Sequence, residues 1–260
     1  MLKRLAGIII LFILVMNVSV TFAGNNSKAR IFTDVPQVTG TQAHFSTMAS
    51  VTLPAQAVNQ RYAIEMTPKD SCIIAYHAIA KLVGGATTYT FTFYDFCNDV
   101  SYVRDVKNNT AFRDLYVRVQ NYTEPAGAFG SRVIQDETFI PRIEKTGINT
   151  WVASLYNFTT GAWDTKLTAT GNDVVEAYVS IYWESNGTPT ACSTLGTYGH
   201  ATIWTTKLQR GIGNAFNLAQ FSDVKLLDSV TMYCTNTTGN PWQFVNTSPA
   251  DQLIIRTPAA

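Results

Sequence analysis

The chain has 260 residues, and about 237 lie beyond an N-terminal export segment, enough for a sizeable core and within the size of one all-β domain. Only 14% of residues are charged, and no basic stripe exists to follow a phosphate backbone, which excludes nucleic acid as a partner. Removing Lys3 and Arg4 from the 19 basic residues leaves 17 against 18 acidic ones, a mature charge near −1.

The chain opens on a segment with the marks of export. Lys3 and Arg4 precede an apolar run from Leu5 to Met16, and Thr21-Phe22-Ala23 puts small residues at the −3 and −1 positions of a cleavage site. The apolar run is about 12 residues, against roughly 20 needed to span a bilayer, so a cleaved signal peptide over 1–23 is expected and no membrane anchor after it. Residues 24–260 then form a single domain in a secreted protein, since no linker, repeat or low-complexity run divides them.

Period-two alternation dominates this domain. Residues 71–85, "SCIIAYHAIAKLVGG", admit a helix capped by Asp70 or Ser71, or a strand of nearly equal merit. In "ATTYTFTFYDF" (86–96), Tyr89, Phe91 and Phe93 alternate with Thr88, Thr90 and Thr92, the mark of a half-buried strand. "DLYVRVQNY" (114–122) alternates in the same way, and "TFIPRIEK" (138–145) is a short strand whose Pro141 points to an edge or a bulge. "NTWVASLYNFTTGAWDTKLTAT" (149–170) holds two alternating runs around Phe158-Thr159-Thr160-Gly161, a hairpin in which Gly161 takes positive φ. A third strand after Gly171-Asn172 is expected to complete a meander. "HATIWTTKLQ" (200–209), "DSVTMYC" (228–234) and "DQLIIRT" (251–257) continue the series, and "NAFNLAQFSDV" (214–224) admits a short helix. The fold expected is all-β: a two-sheet antiparallel jelly-roll sandwich with at most one or two short helices.

Cys72, Cys97, Cys192 and Cys234 make an even count in an exported chain, so two disulfides are expected, with local pairing of Cys72 to Cys97 and Cys192 to Cys234 as first choice among three connectivities. Sequons begin at Asn25, Asn108, Asn121, Asn157, Asn186, Asn236 and Asn246; they are glycan sites only in a eukaryotic secretory pathway. His44, His77 and His200 lack ligand spacing, so no metal and no cofactor is expected. Asp95, Asn98 and Asp99 beside Cys97 read as a solvated turn more readily than as a calcium loop.

The segment "DVVEAYVSIYWESNG" (173–187) carries the candidate site. Read as one strand, it turns Val175, Ala177, Val179, Ile181 and Trp183 to one face and Glu176, Tyr178, Ser180, Tyr182 and Glu184 to the other. The two glutamates are eight residues apart, about 26 Å along an extended strand, too far to share the 5–9.5 Å separation of a glycosidase pair. Tyr178, Tyr182 and Ser180 beside Glu176 suit the rings and hydroxyls of an extended polymer, so binding of a glycan or an extended peptide is the main expectation. Cross-strand pairs that only stabilise a sheet are the competing explanation, and a structural or adhesion protein in which this face is covered is a third.

Residues 150–205 resemble part of the concanavalin A-like β-sandwich superfamily and, more narrowly, the eqolisin-type glutamic peptidases. The resemblance rests on the hairpin "LYNFTTGAWD", the strand "VEAYVSIYWES" and the strand "YGHATI". It implies an acid endopeptidase in which Glu176 holds the position of the catalytic glutamate, with a glutamine beside it to activate water and stabilise the oxyanion. Ala177 follows Glu176 where that family has tryptophan, and Gln42, Gln56, Gln60 and Gln120 do not stand in the family's Leu-Gln-Thr-Gly context, so the resemblance leaves the glutamine unidentified. Oligomeric state and ligand identity are not legible in the sequence.

Overall fold

Alternating apolar residues can be buried only if two sheets face each other, and this is the arrangement in the computed structural model. It describes residues 25–33, 38–54, 57, 60–124, 132–185, 201–219, 223–226, 243–247 and 252–256. The signal segment, Cys192, Cys234, His200 and the run 228–234 lie outside these residues.

The strands in chain order are β1 (Asn25–Thr33), β2 (Val38–Ser46), β3 (Arg61–Thr67), β4 (Ile73–Lys81), β5 (Thr87–Asp95), β6 (Val100–Asp105), β7 (Arg118–Glu124), β8 (Arg132–Phe139), β9 (Pro141–Gly147), β10 (Thr150–Asn157), β11 (Ala162–Thr170), β12 (Tyr178–Ser185), β13 (Thr202–Arg210), β14 (Phe216–Leu218), β15 (Val224–Leu226), β16 (Gln243–Thr247) and β17 (Gln252–Arg256). A seven-stranded sheet has the order β15-β1-β12-β3-β4-β5-β6. A ten-stranded sheet follows β11-β10-β9-β2-β13-β17-β16, with β14 on β13, β8 on β2 and β7 on β8. Between them lie Phe45, Tyr62, Phe91, Phe93, Phe139 and Trp151, all buried, with Val179 and Ile181 from β12. Rings meet edge to face, as at Phe91–Phe139 with centroids 4.9 Å apart. The expected antiparallel sandwich is therefore the observed one.

Residues 71–85 resolve as the strand reading: Ile73, Ala75 and Ile79 point into the core with a period of two. The hairpin at 149–170 also forms, with Gly161 at φ 69° and its N–H donating to Asn157 O at 2.9 Å. The expected meander does not. After β11 the chain leaves its sheet, and β12 pairs with β1 and β3 in the other one. Gly171 (φ 114°) starts this crossing: a Cβ there would lie 3.1 Å from Cys97 Sγ and 3.3 Å from Cys72 Sγ. The Cys72–Cys97 disulfide, the local pairing expected, thus closes the end of the sandwich over which the chain crosses. A bridge between Ser71 and Val174 guides the crossing segment, and the meander on this side is β9-β10-β11 instead.

Residues 114–122 are not one strand. Helix α1 (Thr110–Tyr116) takes the first part, because Asn109 caps it by accepting the Phe112 N–H at 3.0 Å, and Phe112 and Tyr116 then fall on one buried face. The chain extends only from Arg118. In the run 214–224, where a short helix was expected, the described residues Phe216–Leu218 form β14 instead and Val224 opens β15. Pro141 opens β9, where its missing N–H costs the ladder least.

Candidate functional site

On β12 Val179 and Ile181 face the core, so Tyr178 and Ser180 face outward. The strand begins only at Tyr178, and the expected strand from 173 is shortened accordingly. Glu176 therefore stands before the strand, exposed, in the segment crossing from the other sheet. Tyr178 is half-buried opposite Thr67, Tyr182 sits opposite Ala63, and Glu184 opposite Arg61.

Ser180 lies opposite Glu65 of β3, and its hydroxyl donates to Glu65 Oε1 at 2.7 Å. Tyr62, Ile64 and Met66 point into the core, which forces Glu65 onto the outer face with Arg61, Ala63 and Thr67. The register continues from Glu65 to Tyr76 on β4 and Thr92 on β5. The outer face thus carries a transverse row of hydroxyl, carboxyl, phenol and hydroxyl. Arg61 lies 5.8 Å from the Tyr76 ring centroid. The centre of this face is closed off from water: Glu65 is 5% exposed, and Ser180, Ala63 and Thr67 are 0% exposed. Sequence reasoning missed Glu65. Its signal was present, a single carboxyl on the polar side of "RYAIEMT", but its partner is 115 residues away.

The other candidate groups are held by the fold itself. Asp95 Oδ1 accepts the N–H groups of Cys97 (2.9 Å) and Asn98 (3.2 Å), and Oδ2 accepts Asn98 Nδ2 (2.8 Å). Asp105 repeats the device with Lys107 and Asn108 three residues on. Both are Asp-x-x-Asn turns whose carboxylates are already satisfied. Tyr94 donates to Asp99 at 2.6 Å; that bond and partial burial push its phenol up to about 12. Among the described residues one group of metal-ligating type occurs, Cys72, Asp95 and Cys97, and its two sulfurs are joined to each other. His77 is buried, with Nε2 2.9 Å from Thr47 O and Nδ1 3.2 Å from Thr90 O. His44 packs against Trp204 with centroids 5.7 Å apart. Burial lowers both imidazoles to about 4, so neither is charged at neutral pH.

A polar latch fastens α1 to the hairpin. The Tyr116 hydroxyl donates to Asp164 Oδ2 (2.7 Å), Asn157 Nδ2 donates to the same oxygen (3.0 Å), and Lys166 Nζ donates to the Tyr116 oxygen (2.6 Å). Burial, with Asp164 beside it, raises the Tyr116 phenol far above its ordinary range, which keeps it a donor. Sequon residue Asn157 is buried and uses both amide atoms here and in the turn, accepting Thr159 N–H at 2.9 Å.

No protein-family profile matches the sequence, and no curated protein matches it significantly. Among solved structures, the chain is similar to a scytalido-glutamic peptidase bound to a peptide-based transition-state analogue, with 11% identity over 90% of this chain and 98% of that one at a TM-score of 0.43. A second structure of scytalido-glutamic peptidase, with a transition-state analogue inhibitor, gives 11% identity, the same coverage and a TM-score of 0.42. SCP-B, a member of the eqolisin family of peptidases in complex with the tripeptide Ala-Ile-His, gives 8% identity over 90% and 98% at a TM-score of 0.41.

Proposed function

We propose that the chain is a secreted acid hydrolase of peptidase type, which takes an extended polypeptide across the outer face of the seven-stranded sheet, with Glu65, positioned by the buried Ser180, meeting substrate through the small part of it that stays exposed. The observation that carries this reading is the 2.7 Å hydrogen bond from Ser180 to Glu65 on adjacent strands. A carboxylate in that position takes a proton from an attacking water, and the Ser180 hydroxyl, whose one proton goes to Oε1, holds the carboxylate in place. Ser180 fixes the acceptor on a paired strand, whereas Glu176 stands in an exposed segment.

The test is hydrolysis of unfolded casein at about pH 3–4. Glu65→Gln should lower the rate by about 10²–10⁴-fold, the usual contribution of a general base. Glu176→Gln should leave it unchanged; the reverse pattern would move the reaction to Glu176. Inert wild-type protein would sink the enzymatic reading. If that inert protein responds on a glycan array, and the response is lost in Tyr178→Ala with Tyr182→Ala, polymer binding without hydrolysis replaces it.

A second reading, a non-catalytic surface protein, is favoured by the burial of Ala63, Thr67 and Ser180 on the outward face. In that case the Ser180–Glu65 bond only satisfies two buried polar groups.

A further inference from the structure

We propose that β7 is a self-pairing edge through which two copies of this chain join antiparallel about a two-fold axis at Asn121. Among the described strands β7 pairs with β8 alone, over all seven residues from Arg118↔Thr138 to Glu124↔Arg132. β8 in turn pairs with β2 at two positions, Phe45↔Phe139 and Ser46↔Thr138, beside which Glu137 accepts the Thr47 N–H (2.8 Å) and the Arg113 guanidinium (2.8 Å); beyond them no described strand but β7 pairs with it. The ribbon therefore projects from the ten-stranded sheet, and Val119 and Val133 on one of its faces are 55% and 66% exposed. A two-stranded ribbon is marginal in water alone, and natural edges are usually guarded by proline, lysine, a bulge or shortness. β7, "RVQNYTE", has seven residues and none of these guards.

The sequence of β7 is complementary to itself in one register. Centred on Asn121, an antiparallel copy sets Arg118 opposite Glu124, Val119 opposite Thr123 and Gln120 opposite Tyr122, and the charge pair occurs twice. A shift of two residues in either direction leaves one end of the strand without a partner. A parallel copy sets Arg118 opposite Arg118 and Glu124 opposite Glu124, which is repulsive. Arg118 enters with its charge uncompensated: its guanidinium donates to the backbone oxygens of Val117 (2.6 Å), Asp114 (2.9 Å) and Arg113 (3.5 Å) and to Thr159 Oγ1 (3.4 Å), all neutral. The product is a four-stranded sheet, β8-β7 continued by β7-β8 of the second copy. In it, β-branched Val133, Thr123 and the second copy's Val119 share one row, so both exposed valines gain a neighbour on the face. One strand pair buries less than the roughly 1,200 Å² of stable interfaces, so the dimer is weak and concentration-dependent.

Two measurements test this on the full mature chain made without N-glycans, because Asn121 begins the sequon Asn121-Tyr122-Thr123 and a glycan would occupy the axis. Sedimentation equilibrium should show a monomer–dimer equilibrium. Arg118→Glu should weaken it at least about tenfold, one charge pair lost at each end, and adding Glu124→Arg together with Arg132→Glu, its partner on β8, should restore it. Thermal melts of each variant separate lost pairing from lost folding. The second measurement is a cysteine trap. Residues directly opposite in an antiparallel pair lie about 4.5–5.5 Å apart, within disulfide reach. Asn121→Cys should therefore cross-link to itself readily, and the equally exposed Gln135→Cys, one strand away from the axis, should not. Equal cross-linking of the two cysteines, or a folded wild type that stays monomeric at all concentrations, would overturn the proposal.

Discussion

His77 shows how a single buried residue couples this fold to pH. Both ring nitrogens face backbone carbonyl oxygens, and a neutral imidazole can donate to only one of them. Burial nevertheless dominates and lowers the imidazole from 6.5 to about 4. Above about pH 6.5 the ring is neutral in both folded and unfolded chains, and it contributes no pH dependence. As pH falls from about 6.5 to 4 the unfolded chain takes up a proton that the folded chain refuses, so stability falls by about 3 kcal/mol and then levels off. His44, also lowered to about 4, acts in the same sense. Asp136 acts in the opposite one: burial raises its carboxyl from 3.8 to about 7, so the folded chain takes up that proton first and gains stability as pH falls through that window. Comparing urea unfolding at about pH 7 and about pH 4, His77→Gln, which keeps one donor, should lose about 3 kcal/mol less than wild type. An identical loss in the two proteins would rule out His77 as a source. An acid hydrolase of this fold would thus work where its own histidines oppose folding.

At the scale of elements, alternation and turn chemistry were legible and helix ends were not. Tyr89, Phe91 and Phe93 against three threonines announced β5, and Asn157 to Gly161 announced the hairpin, because each signal lies within a few residues. Helix α1 escaped notice because Leu115, Val117 and Val119 continue an alternation that a local cap interrupts. Asn109 decides the matter by taking the Phe112 N–H. Asn109→Ala should lower stability by about 1 kcal/mol, and also loosen α1 from Asp164, which hydrogen exchange of residues 110–116 would report. A change within a few tenths of a kcal/mol would mean that burial of Phe112 and Tyr116 alone holds the helix.

At the scale of the whole molecule, the crossing from β11 to β12 puts β12 beside β3, and the disulfide secures the end where it happens. Cys72 and Cys97 enclose a separation of 25 residues, and a cross-link of that span removes about 3 kcal/mol of chain entropy from the unfolded state. Replacing both cysteines with alanine should cost about that much in chemical denaturation, with the native sheet signal retained at neutral pH; no change in midpoint would assign the bridge no role in stability.

The sequence by itself determined the secondary structure of most strands, the two-layer class and the local disulfide, because period two, turn residues and short cysteine spacing are properties of neighbouring residues. It also placed a polar face on β12, with Ser180 and Tyr178 facing away from the apolar Val179 and Ile181. Only the tertiary structure decided which strands lie side by side. Local periodicity is the same whether a strand pairs with its hairpin neighbour or crosses to the other sheet, so nothing in residues 149–187 distinguished a meander from a crossing. That choice left Glu176 in the exposed connection and brought Glu65 against Ser180.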